Sequence, residues 1–150
     1  MKFDIHPSIV DKFLNGESID IELKQIFDKR YQDFGILDKP NISSFTDACN
    51  ILGLYEPDLI KPDYDIKAIA LTKLTVIIEA LNDGWKPDLT DRNQKKWYNW
   101  FRMENDEFVF HGTDFNFRYM DVPSALYFKS EELAIYCKDN FMDLYKQYYL

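Results

Sequence analysis

Catalysis needs an activated nucleophile, an acid–base pair or a metal cage, and this chain offers few groups for any of them. Its two histidines, His6 and His111, lie far apart in the sequence, as do its two cysteines, Cys49 and Cys137. No C-x-x-C or H-x-x-x-H spacing occurs, so the four close nitrogen and sulfur ligands of a zinc site are not in prospect. G-x-G-x-x-G, G-x-x-x-x-G-K-[ST] and G-x-S-x-G are all absent, which leaves no recognised phosphate cradle and no nucleophile elbow. Both cysteines sit among apolar residues on expected helices and read as small buried hydrophobes in a reducing compartment. His111, next to Gly112, reads as a turn residue. Carboxylates are plentiful at Asp88 and Asp91, at Glu104, Asp106 and Glu107, and at Asp114 and Asp121. Clustered acids can hold Mg²⁺ or form acid–base pairs. Here the spacing matches no metal-binding loop, and a solvated loop or hairpin face that discourages edge pairing is the simpler reading. The expectation is no catalytic residue, no metal and no cofactor.

The richer chemistry is in binding. All three tryptophans (Trp85, Trp97 and Trp100) fall between residues 85 and 128, together with nine Phe and Tyr residues. Within residues 85–102, five basic side chains face two acids, a local charge of +3 in a chain of −8. The candidate binding residues are Trp85, Lys95, Lys96, Trp97, Tyr98, Trp100, Phe101 and Arg102. Bases stack on aromatic rings for roughly 1–3 kcal/mol each, with Lys or Arg holding the backbone, which would suit single-stranded nucleic acid. The same residue types anchor protein interfaces. The plainest alternative has Trp97, Trp100 and Phe101 packing under a sheet while Lys95 and Lys96 face water. Overall charge argues against nucleic acid, because an acidic chain repels phosphate. A protein partner is the expectation. The −8 charge also admits an acidic DNA mimic, resting on residues 1–65, whose 13 acids and 7 bases give −6.

These residues need a scaffold, and 150 residues with 46% hydrophobic and 17% aromatic content supply a core rather than a disordered chain. Ile19, Leu23, Ile26, Phe27 and Tyr31 recur at helical spacing, with Gly35 as a stop. Ser44 is a good N-cap, Asp47 stands at the capping-box position, and Gly53 ends that helix. The two prolines of YEPDLIKPDYD mark a boundary, dividing a helical N-terminal lobe, 1–60, from a module, 61–150. Asp65 caps a helix with a stripe from Ile66 to Leu81, and Gly84 provides a left-handed C-cap. The period then changes to two. Phe108 and Phe110 form one strand, Phe115, Phe117 and Tyr119 a second, and Ala125 to Phe128 a third, with His111 to Asp114 as a turn. Ser130 caps a last helix with a stripe of Leu133, Cys137, Phe141, Leu144 and Tyr148. The predicted class is α+β: short N-terminal helices, then helix, three-stranded antiparallel sheet and helix.

Three segments, Leu81–Asp88, Asn93–Phe101 and Phe128–Tyr136 with Asp143–Lys146, carry a shared pattern. It runs L-N-x-G-W-K-P-D, then N-x-x-K-(W/Y)-Y-x-W-F, then F-K-S-x-E-L-A-x-Y with D-L-Y-K. This pattern resembles small uncharacterised phage and prophage proteins of Bacteroidetes over about the last 70 residues. The resemblance implies a source and a module, with no activity and no functional residues. The N-terminus has early acids and no long apolar run, so no signal peptide is expected, and no window approaches a membrane span. The function expected is a non-enzymatic phage accessory protein acting by protein–protein interaction in the cytoplasm of a bacterial host or in the virion.

Overall fold

The computed structural model describes residues 41–150, which lie within the compact unit Lys39–Leu150. In chain order these form helix α1 (Phe45–Leu52), the single-turn α2 (Glu56–Leu59), helix α3 (Ile66–Asn82), strands β1 (Lys96–Glu104) and β2 (Glu107–Asn116), a 3-10 turn (Ser124–Leu126) and helix α4 (Glu131–Tyr149). The class is α+β. The helix expected over residues 19–31 lies outside the described residues. The compact unit contains α1 and α2 as well as the 61–150 module.

Helix ends follow the local chemistry. The Ser44 hydroxyl accepts the Asp47 N–H at 3.1 Å, and Gly53 closes α1 at φ 66°. The Asp47 carboxylate reaches past the cap residue and accepts the Ser43 hydroxyl and N–H at 2.8 and 3.0 Å. Those bonds hold its pKa below the usual carboxylate value. Asp65 accepts the Ala68 N–H at 2.8 Å to start α3. Two left-handed residues stop it, Asp83 at φ 49° as the C-cap and then Gly84 at φ 82°. Ser130 accepts the Leu133 N–H at 3.4 Å to start α4.

The core stacks in layers. On α3, Leu74, Ile77, Ile78 and Leu81 are buried and pack toward Leu133, Ala134 and Cys137 of α4. Ala48 and Cys49 of α1 extend the same cluster. Burying each such Leu or Ile side chain is worth about 1.5–3 kcal/mol. That burial offsets the weak helix propensity of Thr75 and Val76. Among the described elements α4 makes the main helix contact with the hairpin, and α3 packs behind it. The buried line on α4 runs Leu133, Cys137, Phe141, Tyr145 at intervals of four, with Leu144 and Tyr148 half-buried beside it. The helix breaks its regular dihedrals at Phe141 (φ −132°, ψ 28°).

Among the described residues the sheet differs from expectation in having two strands rather than three. The N-Q-K-K-W-Y-N-W-F stretch, where the pattern predicts no strand, supplies most of β1. The turn is not at His111–Asp114 but at Asn105–Asp106, where both residues have positive φ, 50° and 64°. Two consecutive left-handed residues make the hairpin turn whose twist matches its strands. The expected first strand and the start of the second are one continuous β2, which ends at Asn116, before Phe117 and Tyr119. A register shift lies opposite Trp100/Phe101, where Trp100 pairs with Gly112 and Phe101 with Phe110. His111 is therefore the extra residue of a β-bulge. It moves the inward-facing positions from even numbers (Phe108, Phe110) to odd ones (Thr113, Phe115). The third run forms no strand because its first residues belong to the 3-10 turn Ser124–Leu126, which starts after Pro123. Leu126 N–H bonds back to the Pro123 carbonyl at 2.8 Å, and only Phe128 reaches β1. It exchanges two main-chain bonds with Trp97, at 3.0 and 2.7 Å.

Candidate functional site

Strand alternation assigns the candidate residues to different surroundings. Trp97, Asn99 and Phe101 point to the inner face, toward α4. Tyr98, Trp100 and Arg102 point to the outer face. On the inner face, Phe101 lies 4.9 Å from Phe108 and 4.7 Å from Tyr145 between ring centroids. Asn99 is buried there. Its amide donates to the Ala134 carbonyl at 2.7 Å and to Tyr145 Oη at 3.4 Å, and its oxygen accepts the Thr113 hydroxyl at 2.8 Å. The half-buried Trp97 stacks at 4.8 Å on Phe115, and the Lys95 ammonium lies 4.6 Å from the Phe115 ring and 5.8 Å from that of Trp97. These are cation–π distances.

On the outer face Trp100 is 44% exposed. Its indole lies edge-on to His111, centroids 4.1 Å apart, and crosses Gly112, where an added Cβ would stand 3.2 Å from the indole Nε1. A side chain at position 112 would push the ring off the strand. Arg102 pairs with Glu104 at 2.9 Å, both half in solvent. Tyr98 lies edge-on to Tyr127 at 5.8 Å. Burial, then the Asp121 and Asp114 carboxylates, push its phenol up to about 12.

Lys96 departs most from expectation. It does not face water; it is 0% exposed. Its ammonium donates to the carbonyls of Asp91, Gln94 and Phe117 at 3.2, 3.0 and 3.2 Å. A lysine supplies three donors, and all three are used. Gln94 completes the loop, accepting the Asp88 N–H at 2.6 Å and donating to the Lys86 carbonyl at 3.1 Å. The T-D-R-N-Q-K stretch is thus a loop held by its own side chains. A cluster of turn formers leaves main-chain carbonyls in need of donors, and that was the available signal for both residues. Trp85 is away from the hairpin, half-buried in a cleft of about 310 Å³ with Ile78, Glu79 and Ala125. The eight candidate residues therefore do not form one surface. Trp97, Trp100 and Lys95 are not presented together, which removes the continuous stacking platform that single-stranded nucleic acid would use.

Two further groups gain structural duties. Asn82, buried at the end of α3, donates to the Tyr127 carbonyl at 2.8 Å and accepts the Lys129 N–H at 3.0 Å, fixing the backbone on both sides of Phe128. The acids at the turns accept local N–H groups, Asp88 from Thr90 at 2.8 Å and Asp91 from Asn93 at 2.8 Å. Among the described residues no group of three His, Cys, Asp or Glu is placed to hold a metal ion. Both cysteines are buried. Burial pushes the Cys137 thiol up to about 12, which keeps it protonated and poorly nucleophilic. Of the 13 acids behind the DNA-mimic reading, eight precede residue 41 and lie outside the described residues. Among the described residues no helix is long and apolar enough to cross a membrane. Comparison with family models, curated proteins and solved structures finds no match to this chain.

Proposed function

We propose that this chain is an accessory protein that acts by protein–protein contact, with the outer face of the hairpin as its interface. The observation that carries the reading is Trp100, held 44% exposed on a strand whose opposite face is covered by α4. Trp, Tyr and Arg are the side chains that most often anchor interfaces, and Tyr98, Trp100 and Arg102 lie together there. The phage or prophage source, and the bacterial cytoplasm or virion as location, rest on the sequence resemblance and belong to the same proposal. Affinity capture from a Bacteroidetes host lysate tests it. The wild-type chain recovers a partner, and Trp100→Ala, losing an anchor worth about 2 kcal/mol or more, retains it at least about thirtyfold more weakly. Recovery of nothing, or equal recovery by the variant, overturns the reading.

A further inference from the structure

In an antiparallel ladder the main-chain groups of alternate residues point to alternate edges of the strand. The two-residue turn makes Glu104 and Glu107 a hydrogen-bonded pair, so Arg102 and Trp100 also turn their main chain toward β2. Trp97 turns its own away, to Phe128. Asn99, Phe101 and Met103 therefore direct their N–H and C=O groups to the edge of β1 away from β2; Asn99 is only 3% exposed, so the accessible stretch of that edge runs from Phe101 to Met103. No bond from the 121–128 segment reaches them: the bridge to that segment is confined to Trp97. Along this edge runs an open groove of about 530 Å³, lined by Phe101, Met103, Phe108, Val122, Tyr149 and Leu150 among others. Met103 is 54% exposed on it. Main-chain groups without a partner among the described residues, beside an apolar groove, are the geometry that receives an added strand.

Charge selects the occupant. Arg102 is neutralised by Glu104. Asp121 stands on the groove wall, and the Asp114 carboxylate acts with it on Tyr98. The groove is acidic at its Tyr98 end, in a chain of net charge −8. We infer that the edge of β1 takes up an extended segment of a partner protein as a third strand, with apolar side chains at alternate positions and a Lys or Arg beside Asp121. This rests on the protein-contact reading above and names the kind of segment recognised.

Amide hydrogen exchange of the full chain tests the inference, with the peptide acetyl-Lys-Val-Thr-Val-Thr-Val-Lys-amide as probe. At ten times its dissociation constant the peptide slows exchange at Phe101 and Met103 by about tenfold, in proportion to occupancy. A version N-methylated at alternate residues, which cannot donate to the strand, gives no slowing. A version with Glu in place of Lys binds several-fold more weakly. Met103→Pro removes one edge N–H that the fold leaves unused, and abolishes the slowing at Phe101; the N-methylated peptide provides the same control without altering the protein. Three results overturn the inference. The first is unchanged exchange at saturating peptide. The second is equal binding of the Glu peptide. The third is protection that rises with protein concentration alone, which would place a second copy on the edge. Failure here with a lysate partner still captured through Trp100 leaves the proposed function standing and removes only the strand-addition site.

Discussion

The two faces of the hairpin are written in the same nine residues of β1, yet they meet opposite surroundings. Inward, Phe101 touches four aromatic rings, from Phe108, Phe110, Tyr145 and Tyr149, at 4.7 to 5.9 Å, and both polar atoms of the Asn99 side chain have partners within the core. Outward, Trp100 has one edge contact with His111 and a glycine beneath it. A tryptophan left in that position forgoes burial that a packed site would give it. The adjacent pair Trp100 and Phe101 thus separates a ring packed into the core from one left at the surface.

The sharpest way to break that comparison is to truncate each in turn. Phe101→Ala costs about 3 kcal/mol, the low end for removing an aromatic ring because Phe101 is only half-buried. Trp100→Ala costs about 1 kcal/mol or less, since exposed positions contribute little. Urea unfolding midpoints measure both. Equal losses would make the outer face as structural as the inner one and deprive the interface reading of its basis. Asn99→Leu probes the polar side of the inner face. It removes the partner of the Ala134 carbonyl and of the Thr113 and Tyr145 hydroxyls, and costs about 2 kcal/mol for buried groups left unpaired. A neutral result in the same unfolding assay would mean that the network adds nothing to the packing around it.

The helices were legible and the hairpin was not, for a reason visible in particular residues. Ser44, Asp65 and Ser130 cap through their own side chains, a local interaction that sequence displays directly. The parity change from Phe110 to Phe115 was equally visible, but two structures produce it: a turn between strands, or one extra residue in a single strand. What decides between them is Asn105 and Asp106, a polar pair that looks like any loop until both adopt positive φ. The burial of Lys96 is not legible in the sequence because it depends on carbonyls from Asp91 and Phe117, brought together only by the folded hairpin. The α+β class and the covered inner face follow from periodicity. The division of the eight candidate residues between two faces, a buried loop anchor and a separate cleft does not.

The smallest effect expected concerns Tyr98, at the border between the covered and open parts of the outer face. Its phenol ionises near 10 in the unfolded chain and is raised to about 12 in the fold by burial and by the Asp121 and Asp114 carboxylates. The neutral form is the one the fold prefers. Its contribution is therefore complete below about 10 and is lost as pH rises from about 10 to about 12, where the unfolded chain releases a proton that the folded chain retains. Tyr145, also raised by burial, adds to the same alkaline slope from the inner face. Tyr98→Phe flattens part of the fall in the urea midpoint across that window and leaves the midpoint at neutral pH nearly unchanged. An unaltered slope in the variant would assign the alkaline sensitivity to the inner face alone and make the Tyr98 end of the outer face as open to solvent as Trp100.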